Sequence, residues 1–527
     1  MSENPVSETC RERILESEVS SCTGKKQTLL FDRYTNTITL LEIPSRSNYL
    51  DSFGRRSTLP ITFNLKELLC VRTSPAYIRG EVPIRGDATD SNDSSLCFIY
   101  AFKKDQNCLR LKQLQVKFKS DQERDEWKGV LTAAMKCSDR PKNIVVFINP
   151  FGGMGKALSI FEQEVEPIFK LIESLHYGVL ITQRANHARD YIMEEMPAKQ
   201  WNSVDSLLSV GGDGLFNEVL SGALIRTQQE AGIPYDKPEH LFWEAPHVRF
   251  GIIGAGSTNS IARTVHGIHD PTTAALHIVL GLERKMDICS VHGDNHLLRI
   301  SANAIAYCWT GDLLRDSERY RYLGPARYEL SAVRTTLRHP TYKGKVSFSL
   351  SPEEAENSNQ SPCLPPCKEC ESSLGSNHQK VFHSQYDHHW HNEFTHIICY
   401  VIPTYISYFP YPLAPSTGVD DGTLDLILVP KISRLHNVQF MKNLAIYGGK
   451  EVVKLDWATQ YFRVHRWSFE PDDNEADTGV WNVDGEILEQ PKNTALHFRL
   501  HPRLINIFGH ESSTNLESEG CIEDERF

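Results

Sequence analysis

Three glycine-rich segments, each following an apolar run and preceding a helical pattern, limit this chain more than any other feature. They are Asn149-Pro150-Phe151-Gly152-Gly153-Met154-Gly155, Val210-Gly211-Gly212-Asp213-Gly214 and Gly254-Ala255-Gly256-Ser257-Thr258-Asn259. The run 144–148 precedes the first, and Leu158, Phe161, Val165, Ile168, Phe169, Ile172 and Leu175 follow it at helical spacing. Further runs at 178–182, 206–210 and 250–254, each with a helical pattern behind it, give the β-α alternation of an open sheet with helices on its faces. In such sheets ligands bind at the carboxyl ends of the strands, where these glycines fall. Glycine lets backbone N–H groups approach phosphate oxygens, and the next helix N-terminus adds a dipole that favours an anion. Taken alone, a GGDG is as readily a hairpin turn. Three in order on successive β-α units outline a polyphosphate cradle.

The second segment carries a carboxylate, Asp213, at a strand end beside that cradle. A carboxylate there is placed to orient and deprotonate an attacking hydroxyl or to hold a metal ion. Phosphoryl transfer requires positioning and charge neutralisation above all, so arginine, lysine, Mg²⁺ and backbone amides are the expected companions. Arg321 and Arg327 in DSERYRYLGPARYEL, and Asp484-Gly485-Glu486 after Trp481-Asn482-Val483, are the candidates downstream. On their own the arginines read as a solvated helix face and Asp-Gly-Glu as a turn.

The rest of the chain divides around this centre. Residues 1–26 and the acidic, Ser-rich 511–527 read as disordered ends. Over 27–138 short β-like runs lead to a helix that starts at a Ser120/Glu123 capping box and carries Trp127, Val130, Leu131, Ala134 and Met135 on one face. A small β domain closed by a tryptophan-bearing helix resembles a pleckstrin-homology domain, which implies a membrane-directed module taking phosphoinositides; another small β domain is the alternative. Residues 140–284 read as an α/β lobe that carries the phosphate cradle and 285–510 as a second, β-rich lobe, so the fold class is α/β plus β. A polar Cys/His insertion at 351–394 interrupts the second lobe.

With a net charge of −11 the chain lacks the basic balance of a nucleic-acid binder. Its thirteen cysteines and its N-terminus without an apolar signal segment predict a reducing, cytoplasmic setting. No run approaches the roughly 20 apolar residues of a spanning helix, so contact with internal or plasma membranes is expected to be peripheral.

In this order over 143–505, NPFGGMGKAL, SVGGDGLFNEVLSG, GIIGAGSTN, DSERYRYLGPARY, DDGTLDLILV and NVDGEIL resemble the catalytic region of the sphingosine and ceramide kinases, a branch of the diacylglycerol kinase superfamily. The resemblance implies a two-lobed lipid kinase using ATP and Mg²⁺, with Asp213 as general base. It places Asn149, Pro150, Phe151, Gly152 and Gly153, the turn Thr182-Gln183-Arg184-Ala185-Asn186, Glu218, Gly256-Ser257-Thr258, Arg321, Arg327 and Asp484-Gly485-Glu486 around the nucleotide. Gly211, Gly212, Asp213, Gly214 and Asp312 would border the acceptor lipid. Asp312 is equally a candidate for a structural cap or ion pair.

Sphingosine carries an ammonium, whereas ceramide has a neutral amide in its place. By the resemblance, sphingosine kinases keep an acid two positions after the residue matching Asp312, where this chain has Leu314. An ammonium buried against leucine would stay unpaired at a cost of several kcal/mol, while an amide needs only neutral hydrogen bonds, so ceramide is the expected acceptor. The N-terminal region and the spacing Cys363-x3-Cys367-x2-Cys370 match the ceramide kinase group. The three thiols could hold Zn²⁺ with one of His383, His388, His389, His391 or His396, or stay reduced in a flexible insertion. Met154 stands where lysine is common in the family, and Asn259 where some members have an acid. The aromatic stretch 402–412 reads either as a membrane-touching lid or as a buried strand with its loop. The basic segment near 431–450 reads as an ordinary surface helix, with a calmodulin target as the alternative.

Competing function classes are a nucleotide-acceptor kinase of the NAD kinase kind, a sphingosine or diacylglycerol kinase, and a catalytically inactive ceramide kinase-like adaptor. The first leaves the N-terminal module unexplained. The intact charges at Asp213, Arg321, Arg327, Asp484 and Glu486 speak against the last.

Overall fold

The computed structural model describes residues 13–21, 24–42, 60–73, 94–105, 107–136, 138–153, 155–238, 242–294, 296–323, 326–351, 386–406, 409–472 and 478–510. Two compact units form: Met1–Pro141 with Glu164–Leu175 and Ala275–Gly281, and Lys142–Gln163 with His176–Ala274 and Leu282–Phe527. Met154, Cys363, Cys367, Cys370, His383 and the acidic tail, all singled out in the sequence, lie outside the described residues.

In the first unit seven antiparallel strands run from Ile14–Ser21 to Leu109–Lys117, paired in the order fourth, third, second, first, seventh, sixth, fifth. Alternation puts Leu29, Phe31, Ile38 and Leu40 into one core with Phe98 and Tyr100. The helix Asp121–Lys136 covers that core. Ser120 Oγ accepts the Glu123 N–H at 3.3 Å as the capping pattern predicts, and the buried Trp127 donates its Nε1–H to Ser17 Oγ at 2.9 Å.

In the second unit His176–Ile181, Asn143–Ile148, Ser206–Gly211 and Arg249–Gly254 lie side by side, all parallel. Ser206–Gly211 and Arg249–Gly254 are buried at every residue, which explains why they read as continuous apolar runs rather than alternating ones. The four carboxyl ends therefore share one edge. The antiparallel part is built from Ala304–Cys308, His388–Tyr400, Tyr342–Leu350 and Gln460–Pro471, with Leu424–Pro430 bridging the second and fourth of these.

One strand joins the two parts. Leu496–Phe508 runs antiparallel to Glu283–His292 and to Gln460–Pro471, and its far end turns parallel to Arg249–Gly254, with Arg249 opposite Asn506 and Phe250 opposite Ile507. A single 14-stranded sheet results. The strand-rich stretch 287–307 resolves into parts of three strands, Glu283–His292, Leu297–Ser301 and Ala304–Cys308.

The strand His388–Tyr400 begins inside the polar stretch at 351–394, so His388, His389 and His391 sit in a sheet. His388 stacks on Phe348, His389 meets Ser347 Oγ at 2.9 Å, and His391 meets Asp472 at 2.8 Å. His396 is buried and bonded to Asn437 Oδ1 at 2.7 Å, and burial pushes its imidazole down to about 4.

Candidate active site

The three glycine loops meet at the shared strand edge. A methyl group on Gly256 would lie 2.4 Å from Gly212 Cα, and one on Gly153, where φ is +61°, would lie 2.7 Å from the Ala255 carbonyl oxygen. Only glycine lets these backbones touch. Asn149 ties the first loop down: its Oδ1 accepts the N–H groups of Phe151 at 2.9 Å and Gly152 at 3.2 Å, and its own N–H bonds to Val210 O. Asn259 shapes the third loop from a left-handed φ of +50°. Its Oδ1 accepts the Gly256 N–H at 2.7 Å and its Nδ2 donates to Gly256 O. An acid at 259 lacks that donor, which is why asparagine suits this turn.

Asp213 opens the 19-residue helix Asp213–Ala231 and points at the start of the helix Ser260–His266. The Ser260 N–H donates to its Oδ2 at 3.0 Å and the Ile261 N–H to its Oδ1 at 2.9 Å. Burial pushes its carboxyl up to about 6; the two amides oppose that rise and the nearby Asp484 adds to it. The group is a carboxylate at neutral pH with a basicity above that of an ordinary aspartate, as a general base requires.

Glu218, on the same helix as Asp213, caps the neighbouring turn. Its Oε2 accepts the Ala188 N–H at 3.2 Å, which pulls the 182–186 segment against the second glycine loop's helix. Burial raises the Glu218 carboxyl and the Glu486 charge adds to that rise. In the segment itself Asn186 adopts φ +60°, Gln183 N–H donates to His187 Nδ1, and Arg184 pairs with Asp190 at 2.5 Å.

Asp484 and Gly485 form a two-residue turn, with φ of +51° and +90°, between the strands Val480–Val483 and Glu486–Glu489. Asp484 is buried and accepts five donors: Ser301 Oγ at 2.7 Å, the N–H groups of Ala302, Asn303 and Ala304 at 2.6, 3.1 and 2.9 Å, and Asn217 Nδ2 at 3.0 Å. Asn217 stands one turn after Asp213, so this carboxylate ties the helix that carries the candidate base to the antiparallel part of the sheet. Glu486 is the group that faces the loop: a methyl on Gly214 would sit 3.9 Å from its Oε1, and Arg299 lies 3.8 Å from its Oε2.

Other singled-out residues have partners of their own. Asp312, on the helix Trp309–Glu318, accepts the Tyr342 hydroxyl at 2.7 Å and pairs with Arg315, and Leu314 beside it is buried. Arg327 pairs with Glu318 at 3.3 Å and lies over the Tyr328 ring. Arg321 opens the short turn Arg321–Leu323. Asn217, Arg299 and the Ser260 and Ile261 amides were not marked in the sequence. Asn217 had a signal there, standing at i+4 from Asp213 on a helix; the amides carry no side-chain signature at all.

Among the described residues no three His, Cys, Asp or Glu side chains are grouped to hold a metal. Mg²⁺ at phosphoryl-transfer sites takes one or two carboxylates and fills its shell with phosphate oxygens and water. Glu486, an exposed acid, and Glu218, a partly buried one, both with raised carboxyls at the glycine edge, fit that demand.

The family profile of the diacylglycerol kinase catalytic domain matches residues 143–291. Ceramide kinase 1 of Caenorhabditis elegans is 50% identical over 501 residues, covering 94% of this chain and 88% of that protein. Ceramide kinase of Homo sapiens is 33% identical over 413 residues, covering 71% and 74%. A crystal structure of a diacylglycerol kinase from Bacillus anthracis aligns with a TM-score of 0.46 at 16% identity, over 71% of this chain and 99% of that one. Identity of 50% over 94% of the chain, on a chain whose glycine loops and Asp213 converge at one sheet edge, means that this protein belongs to the ceramide kinase family of lipid kinases.

Proposed function

We propose that the chain transfers the γ-phosphate of ATP to the primary hydroxyl of ceramide, with Asp213 as the general base. The observation that carries this is the position of Asp213: a partly buried carboxylate, raised to about 6, held by two backbone amides where three glycine loops converge. In this reading the backbone N–H groups of the loops hold the nucleotide phosphates, with Asn149 and Asn259 fixing the loop shapes and the 182–186 turn bordering the nucleotide. Asp213 Oδ orients the acceptor hydroxyl and takes its proton as the oxygen attacks the γ-phosphorus and the bond from that phosphorus to the β–γ bridging oxygen breaks, with ADP as the leaving group. Mg²⁺, when bound through the nucleotide and the acids at Glu486 and Glu218, supplies charge neutralisation at the phosphates. Arg321 and Arg327 belong to the same reading, Arg327 by exchanging its Glu318 partner for phosphate.

Ceramide over sphingosine is supported by the buried Leu314, which offers no counter-charge to an ammonium, and by the commitment of Asp312 to Tyr342 and Arg315. For the N-terminal unit a pleckstrin-homology assignment is supported by the seven-strand order closed by the Trp127 helix. It implies a peripheral, phosphoinositide-directed role at cytoplasmic membrane faces.

The test is ³²P transfer from Mg-ATP to ceramide, sphingosine and diacylglycerol presented side by side in mixed micelles. Label on ceramide above the other two is expected. Label on sphingosine would discredit the Leu314 argument, and no label on any lipid would favour a lipid-binding adaptor.

A further inference from the structure

The third glycine loop is braced by a histidine from beyond the helix that follows it. The helix Ser260–His266 ends at Gly267, whose φ of +74° lets the chain turn back. Asp270 then caps the next helix, its Oδ2 accepting the Thr273 N–H at 2.7 Å. Between these two fixed points His269 returns to the strand end where the loop begins. A methyl on Gly254 would lie 3.0 Å from its Nε2 and 3.0 Å from its Cδ2. Asn259 Nδ2 lies 2.8 Å from the same ring nitrogen.

The partners of this pair fix where its hydrogens are. The Gly256 N–H can only donate, so the Asn259 atom that meets it at 2.7 Å is the oxygen. The amide nitrogen directs one hydrogen at Gly256 O, 2.9 Å away, and has the other for His269. Nε2 therefore carries a lone pair, with the ring hydrogen on Nδ1; a proton on Nε2 would set two donors against each other at 2.8 Å. The 3.3 Å approach of Gly254 O to Nε2 is then a packing contact. Asn259 is 3% exposed, so without His269 its second amide hydrogen would be buried unpaired. Any shift of Asn259 moves Gly256, which has no room against Gly212, and Ala255, whose N–H donates to Gly211 O at 2.8 Å.

We propose that His269 is a positioning residue for the nucleotide: by accepting the Asn259 amide at Nε2 it holds the third glycine loop in the shape that receives ATP. Its action runs through Asn259, and the two side chains work as one unit. The chemistry at 259 is tied to that at 269, because a carboxylate at 259 would face both Nε2 and Gly256 O with no hydrogen to offer either. The proposal rests on the reading that this loop holds the nucleotide phosphates.

The experiment uses the full chain, with ATP affinity from calorimetry and the KM values for ATP and ceramide from ³²P transfer in mixed micelles. His269→Phe fills the space without an acceptor and should weaken ATP about tenfold, the worth of one buried hydrogen bond, while the KM for ceramide stays at the wild-type value. His269→Gln returns an acceptor oxygen and should recover most of that loss. Once Asn259→Ala has removed the amide, adding His269→Phe should weaken ATP no further. Asn259→Asp reads the same pair from the other side and should also weaken ATP about tenfold. ATP affinity that withstands both His269→Phe and Asn259→Asp overturns the proposal. So does a Gln variant no better than Phe, additive losses in the double variant, or a rise in the ceramide KM equal to that for ATP, which would mark a general loosening of the fold. A wild type that binds no ATP would instead refute the nucleotide reading of the loops, and the proposal with it.

Discussion

The parallel and antiparallel parts of the catalytic sheet contribute to the site in different ways. At the parallel edge the work is done by backbone: glycines that touch one another, amides that point at Asp213, and asparagines that only shape turns. The antiparallel part contributes side chains that arrive from far away in sequence, Asp484 and Glu486 above all. The first arrangement tolerates no added atom, and the second depends on buried charge being fully satisfied.

The largest effect that tests this contrast is a single methyl. Gly256→Ala has no room against Gly212 Cα, so the second and third loops must part. ATP affinity should fall about 100-fold, since a cradle displaced by a fraction of an ångström forfeits much of its pre-organisation. Nucleotide titration by calorimetry measures this, and wild-type affinity would show that the loops do not jointly hold the phosphates.

Asp484→Ala should act on stability first. It leaves buried donors at Ser301, Ala302, Asn303, Ala304 and Asn217 without their acceptor, which costs about 3–5 kcal/mol by the usual penalty for breaking a buried charged network. Asn217→Ala removes only one of those bonds and should cost about 1–2 kcal/mol. Denaturant unfolding of the catalytic region separates the two, and equal losses would mean that Asp484 does not act as the hub. The smallest change is expected from Arg299→Ala, whose ion pair with Glu486 is long at 3.8 Å and open to solvent; stability should shift by less than about 1 kcal/mol.

What could be read in the sequence follows the same division. Each glycine motif is local, so strand, loop and helix were legible from a dozen residues, as was the Ser120 cap. The partners of Asp484 were not, because Ser301 and Asn217 lie 183 and 267 residues away. The joining strand Leu496–Phe508 escaped notice for a related reason. Its neighbours are set by register against Glu283–His292 and Arg249–Gly254, which no periodicity encodes. The histidines of His388–Tyr400 read as part of a polar insertion because a strand starting on His-His-Trp-His lacks an apolar alternation.

The pH dependence of turnover tests the central claim most directly. The base proposed at Asp213 would act only when ionised, and its folded-state pKa is raised to about 6, so activity should be full at neutral pH and fall as pH drops through about 6. The same rise means that the folded state binds this proton more tightly than the unfolded chain. The ionised group thus weakens the fold at neutral pH, and that penalty is relieved as pH falls through the same range. Single-turnover ³²P transfer to ceramide from pH 5 to pH 8 should show that acid limb in the wild type. In Asp213→Asn it should show a rate lower by about a thousandfold with no limb near 6. A limb that persists in Asp213→Asn, or a rate within tenfold of the wild type, would contradict the assignment of Asp213 as the base.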